Sequence, residues 1–353
     1  MIGLRLRQLN LENVHLQNKV KVTQRGAVLL GNSLACDAYE EKRPLRLVTH
    51  AHADHTGGLR WSLRECEKVL MTTATKDLID VLEGPLGARA DVIEAMEYGK
   101  PLRYNGETIT LFKADHILGA AQVLVESEEG YRLAYTGDFR LEDTPVLEDC
   151  DSLVVEATYG SPHCKRSFDV DVRKLLVEMV EKRLKKGVVY IFGYHGKLQE
   201  IMQILHKADV SVPFVMPDKV YHISQACEKN GMQLGCLTQS TAKEAKALLD
   251  ENLPCVAFYH MNSRGNIGLD AERICVSGWE FHSPVRQIGK TEHLIALSDH
   301  SDFNGLMEYV RRAKPKQVIT DNHRVSHGET LAREIDKRLG IPAIAMPRSV
   351  SGR

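Results

Sequence analysis

Apolar residues in the first half of the chain come in short runs, several of them β-branched, broken by glycine, asparagine or aspartate: KVKVTQRGAVLLG, LRLVTHAH, KVLMTT, ETITLFKAD, AQVLVESEEGYRLAYTG and DSLVVEATYG. Runs of this kind predict strands joined by turns. Helical patterns interrupt them, as in ATKDLIDVLEG. From about residue 170 the rhythm changes, and the amphipathic stretches DVRKLLVEMVEKRLKKG, KLQEIMQILHKA, KVYHISQACEKNG and TAKEAKALLDENLP alternate with VVYIFG, FVMP and CVAFYH. That alternation predicts a parallel sheet flanked by helices. After RICVSGWEF and the strand HLIALSD, a helix (FNGLMEYVRRAK), a strand (QVIT) and a last helix (GETLAREIDKRLG) form a further βα layer. No internal repeat, low-complexity tract or long linker separates these regions, so a second domain is expected as an insertion.

Composition narrows the class. The chain has 353 residues, 43% hydrophobic and 26% charged, as ordinary globular proteins do. No window reaches the ~20 apolar residues needed to cross a bilayer, and the start, MIGLRLRQLNLENVHLQNKV, has no signal-peptide pattern. A cytoplasmic protein without membrane partners is expected. The cysteines Cys36, Cys66, Cys150, Cys164, Cys227, Cys236, Cys255 and Cys275 show no C-x-x-C spacing and read as reduced, mostly structural thiols. A net charge of −1 gives no overall basic field, so any polyanion must be held by local charge and by metal. The cationic run Lys182, Arg183, Lys185 and Lys186 ends a helix and reads as a solvated terminus.

The chemistry concentrates in T-H-A-H-A-D-H-T-G-G, residues 49–58, just past the apolar strand LRLV. Imidazole and carboxylate are the ligand set for zinc, or for manganese or iron where oxygen predominates. Alternate residues of an extended segment point the same way, so His50 and His52 can approach one ion together. Asp54 and His55, at the turn, can serve a second. One histidine alone would read as a packing or surface residue, but four ligand-type side chains in six positions are hard to explain by packing, because unpaired buried histidine and aspartate are costly.

This stretch resembles the H-x-H-x-D-H motif of the metallo-β-lactamase superfamily, and the resemblance implies the rest of a two-metal centre. His116 in ADHILGA and Asp138 in YTGDF match the downstream ligands. His50, His52 and His116 would bind one metal, Asp54, His55 and His300 the other, with Asp138 bridging. Asp37 matches an aspartate beneath the first metal loop. Glu156 in VVEATYG and His300 in ALSDHSDF are similar to the later motifs of the β-CASP nucleases. The implied fold is α/β, a metallo-β-lactamase αββα sandwich over residues 1–165 and 286–353 with a βα β-CASP domain inserted at 166–285.

The resemblance implies a nuclease that hydrolyses nucleic-acid phosphodiesters through a hydroxide activated by two divalent ions, zinc or alternatively manganese, leaving a 5′-phosphate. Glu156 would orient a ligand or the proton donor. The helix start GYHGKLQEI resembles the family's G-R-x-Q-E-L and is a candidate phosphate seat. Lys165, Arg166, Lys197 and Arg264 flank motifs or Gly-rich turns and are the candidate substrate cations.

Three other classes compete. A small-molecule hydrolase of this fold would not need the insertion, an inactive nucleic-acid-binding subunit would be missing ligands, and a structural metal protein would have a closed, cysteine-rich site. The short connection CDAYEEKRPLRLVTHAHADH and Ser277-Gly278-Trp279 resemble the DNA cross-link repair branch, so DNA is favoured over an RNA-processing role. In that branch Asp321 or Asn322 would fill the proton-donor position; in the RNA-cleaving branch His323 or His327 would.

Overall fold

A computed structural model describes residues 19–84, 86 and 90–348, so the polar start of the chain lies outside the described residues. The chain divides into two compact units, the first built from Met1–Lys76, Leu86–Lys165 and His300–Arg353, the second from Asp77–Pro85 and Arg166–Asp299.

The first unit holds two sheets. One runs in the order β1 (Val20–Val22), β2 (Val28–Leu30), β3 (Leu34–Cys36), β4 (Leu45–Leu47), β5 (Lys68–Thr72) and β6 (Ile93–Met96), antiparallel at its start and parallel from β3 onward. The helix α1 (Leu59–Glu65) lies between β4 and β5 in sequence, and α2 (Thr73–Glu83) carries the chain out of β5. The other sheet contains β7 (Leu102–Tyr104), β8 (Glu107–Lys113), β9 (Ala121–Ser127), β10 (Arg132–Tyr135) and β11 (Ser152–Val155).

The β7–β8 hairpin turns on Asn105-Gly106, both at positive φ, the pair that matches strand twist in a two-residue loop. Leu30, Leu45 and Leu47 of the first sheet and Ile109, Val123, Tyr135 and Val154 of the second belong to one buried apolar cluster. The two sheets therefore pack face to face, each strand supplying its inward residues.

The second unit is the βα layer that the change of period predicts. Its strands are β12 (Val189–Gly193), β13 (Phe214–Met216), β14 (Leu237–Gln239), β15 (Val256–His260), β16 (Glu272–Val276), β17 (Val285–Gln287) and β18 (Glu292–Ile295). They lie in the order β14-β13-β15-β12-β16-β18-β17, all parallel except β17. The helix α3 (Val172–Leu184) leads into β12, and α4 (Lys197–Lys207), α5 (Asp218–Lys229) and α6 (Lys243–Asp250) connect the strands from β12 to β15. Chain then returns to the first unit through α7 (Phe303–Ala313), β19 (Gln317–Asp321), α8 (Gly328–Leu339) and β20 (Ala343–Met346), with β19 and β20 extending the β11 side of the second sheet.

The expected boundary at 285/286 needs correction: β17 and β18 complete the second unit's sheet, and the division falls between Asp299 and His300. HLIALSD reads as a strand of either domain, and only its parallel pairing with β16 assigns it. Among the described residues no helix is long and apolar enough to cross a membrane.

Candidate metal centre

In the first unit's second sheet, β10, β11 and β19 run parallel and β8 runs the same way as β10, because both are antiparallel to β9. Their carboxyl ends share one rim. His116 follows β8, Asp138 follows β10 and Glu156 follows β11, while the His50–His55 loop leaves β4 of the facing sheet. Two glycines permit the tight geometry. Gly58 starts α1 at φ 71°, where a Cβ would lie 2.8 Å from Tyr39, and Gly137 sits at φ 56°, where a Cβ would lie 2.8 Å from the Ala121 carbonyl oxygen.

The ring nitrogens converge. His52 Nδ1 lies 3.1 Å from His50 Nε2 and 3.0 Å from His116 Nε2. A single proton cannot bond one nitrogen to two others, whereas a cation with nitrogen ligands at about 2.0–2.1 Å brings tetrahedral ligand atoms to roughly 3.3 Å of one another. Asp138 Oδ2 stands 3.7 Å from His50 Nε2, 3.9 Å from His116 Nε2 and 3.3 Å from His55 Nε2, between the two groups of imidazoles. His55 Nε2 is buried without a hydrogen bond, and Asp54 Oδ2 lies 3.5 Å away at the exposed side. Asp138, Glu156 and His300 form an adjoining cluster of ligand-type atoms, as His50, His52, His116 and Asp138 do. A buried imidazole nitrogen facing two carboxylates, and three more ring nitrogens within van der Waals reach of each other around the same Asp138, fit divalent cations.

Electrostatics point the same way. Burial, helped by the neighbouring His55 and His116, holds His50 well below its ordinary value and so neutral, the form that binds metal. Burial opposes the charge on Asp138, but the neighbouring His55, followed by His300, outweighs it and keeps the carboxyl well below the carboxylate range.

A further layer fixes these groups. Asp37, at φ 63°, accepts from Thr49 N and Thr49 Oγ1 at 2.8 Å each and pairs with His55 Nδ1 at 2.8 Å, which leaves His55 Nε2 facing the centre. Glu156 accepts from Phe139 N at 2.8 Å and lies 3.1 Å from His300 Nδ1, so it orients the His300 ring. Arg140 donates to Asp115 at 2.7 Å and thereby ties the Asp138 loop to the His116 loop. Ser301 N donates to the Phe139 carbonyl at 2.8 Å and Leu141 N to Ser301 Oγ at 2.9 Å, joining the His300 segment to the same place.

Sequence reasoning missed Arg46. Its guanidinium is fully buried and donates to the carbonyl oxygens of His55 at 2.9 Å and Gly57 at 3.3 Å, bracing the metal loop from beneath. Burial pushes its pKa down to about 10. The available signal was a charged residue between the leucines of an otherwise apolar strand, LRL.

Other expectations are corrected. Lys197 is buried and donates to Asp299 at 2.8 Å, and the Gly196 N–H is taken by Gln199 Oε1 at 2.8 Å, so the expected phosphate seat is filled by the protein's own side chains. Arg264 forms a two-pronged pair with Glu292 at 2.8 and 2.7 Å. Neither is an uncompensated cation. Lys165 is exposed, and the Arg166 guanidinium sits over Phe281, 5.7 Å from the ring centroid.

At the proton-donor position the structure separates the four candidates. Asp321 is buried against Arg324 and accepts from His323 N, and Asn322 donates to the Pro347 carbonyl. His323 is exposed and lies against Gly26. His327, at the start of α8, places Nδ1 3.1 Å from the Thr158 carbonyl, next to Tyr159, whose ring packs 5.7 Å from that of His300. Glu156 therefore engages His300, and the His327 contact is with Thr158.

The sequence matches the β-lactamase superfamily domain over residues 37–194. It is 38% identical over 139 residues to an uncharacterised protein in the lig 3′ region of Acidianus ambivalens, covering 39% of this chain and 99% of that protein. The chain belongs to the metallo-β-lactamase superfamily, which implies divalent-metal binding. It is 24% identical to transcription termination factor FttA of Thermococcus kodakarensis over 84% of this chain and 59% of that one, so it spans about three fifths of that relative's length. It is 25% identical to an RNase J-like protein of Methanocaldococcus jannaschii over 92% of this chain and 94% of the other. Among solved structures, a protein of unknown function from Enterococcus faecalis V583 aligns with a TM-score of 0.55 and 12% identity, over 80% of this chain and 76% of that one, a likeness of fold.

Proposed function

We propose that this chain is a two-metal nuclease acting in the cytoplasm on nucleic-acid phosphodiesters. His50, His52 and His116 would hold one ion, Asp54, His55 and His300 the other, with Asp138 shared and zinc the expected metal. The observation that carries the reading is the position of Asp138 Oδ2 between the two imidazole groups, within 3.9 Å of three of them. The likeness to an RNase J-like protein along nearly its whole length supplies the substrate class.

When bound, such a pair of ions makes water nucleophilic at neutral pH and neutralises charge developing on the phosphoryl oxygens. The chain's own residues do the rest. Asp37 holds His55 in the tautomer that directs Nε2 inward, and Glu156 does the same for His300. On an RNA substrate His327 would protonate the leaving 3′-oxygen, a role suited to imidazole near neutral pH, whereas on DNA that position falls to Asp321 or Asn322.

DNA is the first substrate reading, on the resemblance of Ser277-Gly278-Trp279 and of the short β3–β4 connection to the DNA-repair branch. An RNA reading is favoured by one observation: of the two histidines expected in RNA-cleaving relatives, His327 lies beside the Thr158–Tyr159 segment that packs on His300. The deciding experiment is a parallel digestion of end-labelled single-stranded and duplex DNA and RNA with added zinc or manganese. Products ending in 5′-phosphate and 3′-hydroxyl are expected, together with about two ions per chain by elemental analysis. Hydrolysis of generic esters with every nucleic acid left intact would overturn the reading.

A further inference from the structure

The second unit's sheet has a feature that its own packing does not require. Strand β12 stands between β15 and β16, and the chain leaves β12 and β16 in opposite directions: after β12 it passes through α4 towards β13, after β16 it passes to the β17–β18 hairpin on the other side. In open parallel sheets such a divergence opens a crevice at the carboxyl ends of the strands, where ligands bind. Tyr194 follows β12 directly, His260 is the last residue of β15, and Trp279 lies three residues beyond the end of β16. Tyr194 is 55% and Trp279 57% exposed, although Ile191, Phe192, Ile274 and Val276 behind them are buried.

Each exposed ring is braced. Tyr194 packs on His260 at 5.2 Å between centroids and 82° between planes, and His195 lies 4.9 Å from the same imidazole. Trp279 packs on Phe281 at 6.3 Å and 87°, its backbone N–H donates to Ser277 Oγ at 3.1 Å, and Arg166 covers Phe281. The local charge suits a polyanion. Burial, and then the cation of Lys219, hold His260 below its ordinary value, so its ring is neutral and the positive charge near it is that of Lys219. Glu280, next to Trp279 in sequence, is buried and paired with Arg286 at 3.0 Å.

We infer that Tyr194 and Trp279, braced by His260 and Phe281, form a platform on which the unpaired bases of a single-stranded nucleic acid stack without regard to sequence. Every base presents a π-face, so rings of this kind retain a strand irrespective of its letters. A duplex, whose bases already stack on each other, gains nothing from them. The inference rests on the nuclease reading for its substrate class and narrows that class to strands with unpaired bases.

The test uses the full chain carrying Asp138→Asn, so that binding is read without cleavage, and compares oligo(dT), oligo(U), a duplex of equal length and an abasic oligomer with the same phosphates. Tyr194→Ala and Trp279→Ala should each weaken single-strand binding about tenfold or more. Tyr194→Phe and Trp279→Phe should restore most of it. The abasic oligomer should bind the parent as weakly as oligo(dT) binds the double alanine variant. In a Trp61→Phe background Trp279 is the sole tryptophan, and its fluorescence should be quenched by oligo(dT) and unaffected by the abasic strand. Equal binding of abasic and normal strands, or equal losses for duplex and single strand, would overturn the platform while cleavage by the wild type left the nuclease reading standing. A wild type that neither cleaves nor binds any nucleic acid would overturn both.

Discussion

Both units end their parallel strands in functional-looking loops, yet the two rims carry different chemistry. In the first unit the loops after β4, β8, β10 and β11 present imidazoles or carboxylates to a common point, and several are tied down by protein partners: His55 by Asp37, His300 by Glu156, the Asp138 loop by Arg140 and Ser301. In the second unit the same kind of rim presents rings, while its strongest polar groups, Lys197 and Arg264, face protein carboxylates. Parallel topology creates a place for a ligand; side chains in loops a few residues long decide whether that place holds ions or bases.

The contrast can be broken most severely at Asp138. Asp138→Asn should reduce hydrolysis to background on every substrate while the thermal transition persists, since a neutral amide is a poor shared ligand for two cations. Turnover near wild type would dismantle the assigned centre. Next comes the donor: if the enzyme works as an RNA-cleaving member, His327→Ala should cost roughly a hundredfold in kcat, the scale of general acid catalysis, with His323→Ala close to wild type, whereas both variants of a DNA-cleaving enzyme should stay active. A silent His323→Ala and an active His327→Ala would reverse the assignment.

The supporting layer should show a smaller effect of a different kind. Asp37→Ala removes the acceptor that sets the His55 tautomer and should lower metal affinity by about 10- to 100-fold in chelator competition, without changing oligonucleotide affinity of the metal-loaded protein. The second unit offers the mildest test. Arg264 holds the Glu292 carboxyl below its ordinary value despite burial. A depressed carboxyl contributes stability above the unfolded value, about 4.3, and that contribution disappears as pH falls through the lower folded value. Glu292→Gln should therefore lower the urea midpoint at neutral pH and flatten its decline below about pH 4; an unchanged acid limb would show that the pair adds no stability.

Legibility followed the same division. The metal loop could be read because His50, His52, Asp54 and His55 are consecutive in a short stretch and have no other economical explanation. His116 and Asp138 were reachable only by resemblance, since the strands that unite them are far apart in sequence. Arg46 was hidden because burial of a guanidinium depends on carbonyls that the fold brings to it. Lys197 and Arg264 misled for the converse reason: their partners Asp299 and Glu292 are 102 and 28 residues away, so sequence showed two cations where the structure has two ion pairs. The domain boundary slipped by one hairpin because a strand does not declare its sheet.

The first unit is assembled from three stretches, and the last, His300–Arg353, follows everything in the second unit. During synthesis a ribosome therefore releases His50 through Glu156 long before His300 exists. A nascent chain can gather all the proposed ligands of the first metal but lacks His300 of the proposed second set, and any product cut short before His300 stays in that condition. The interruption places the last of the proposed ligands after the whole of the second unit, so the nuclease chemistry proposed for the centre would be acquired late in synthesis.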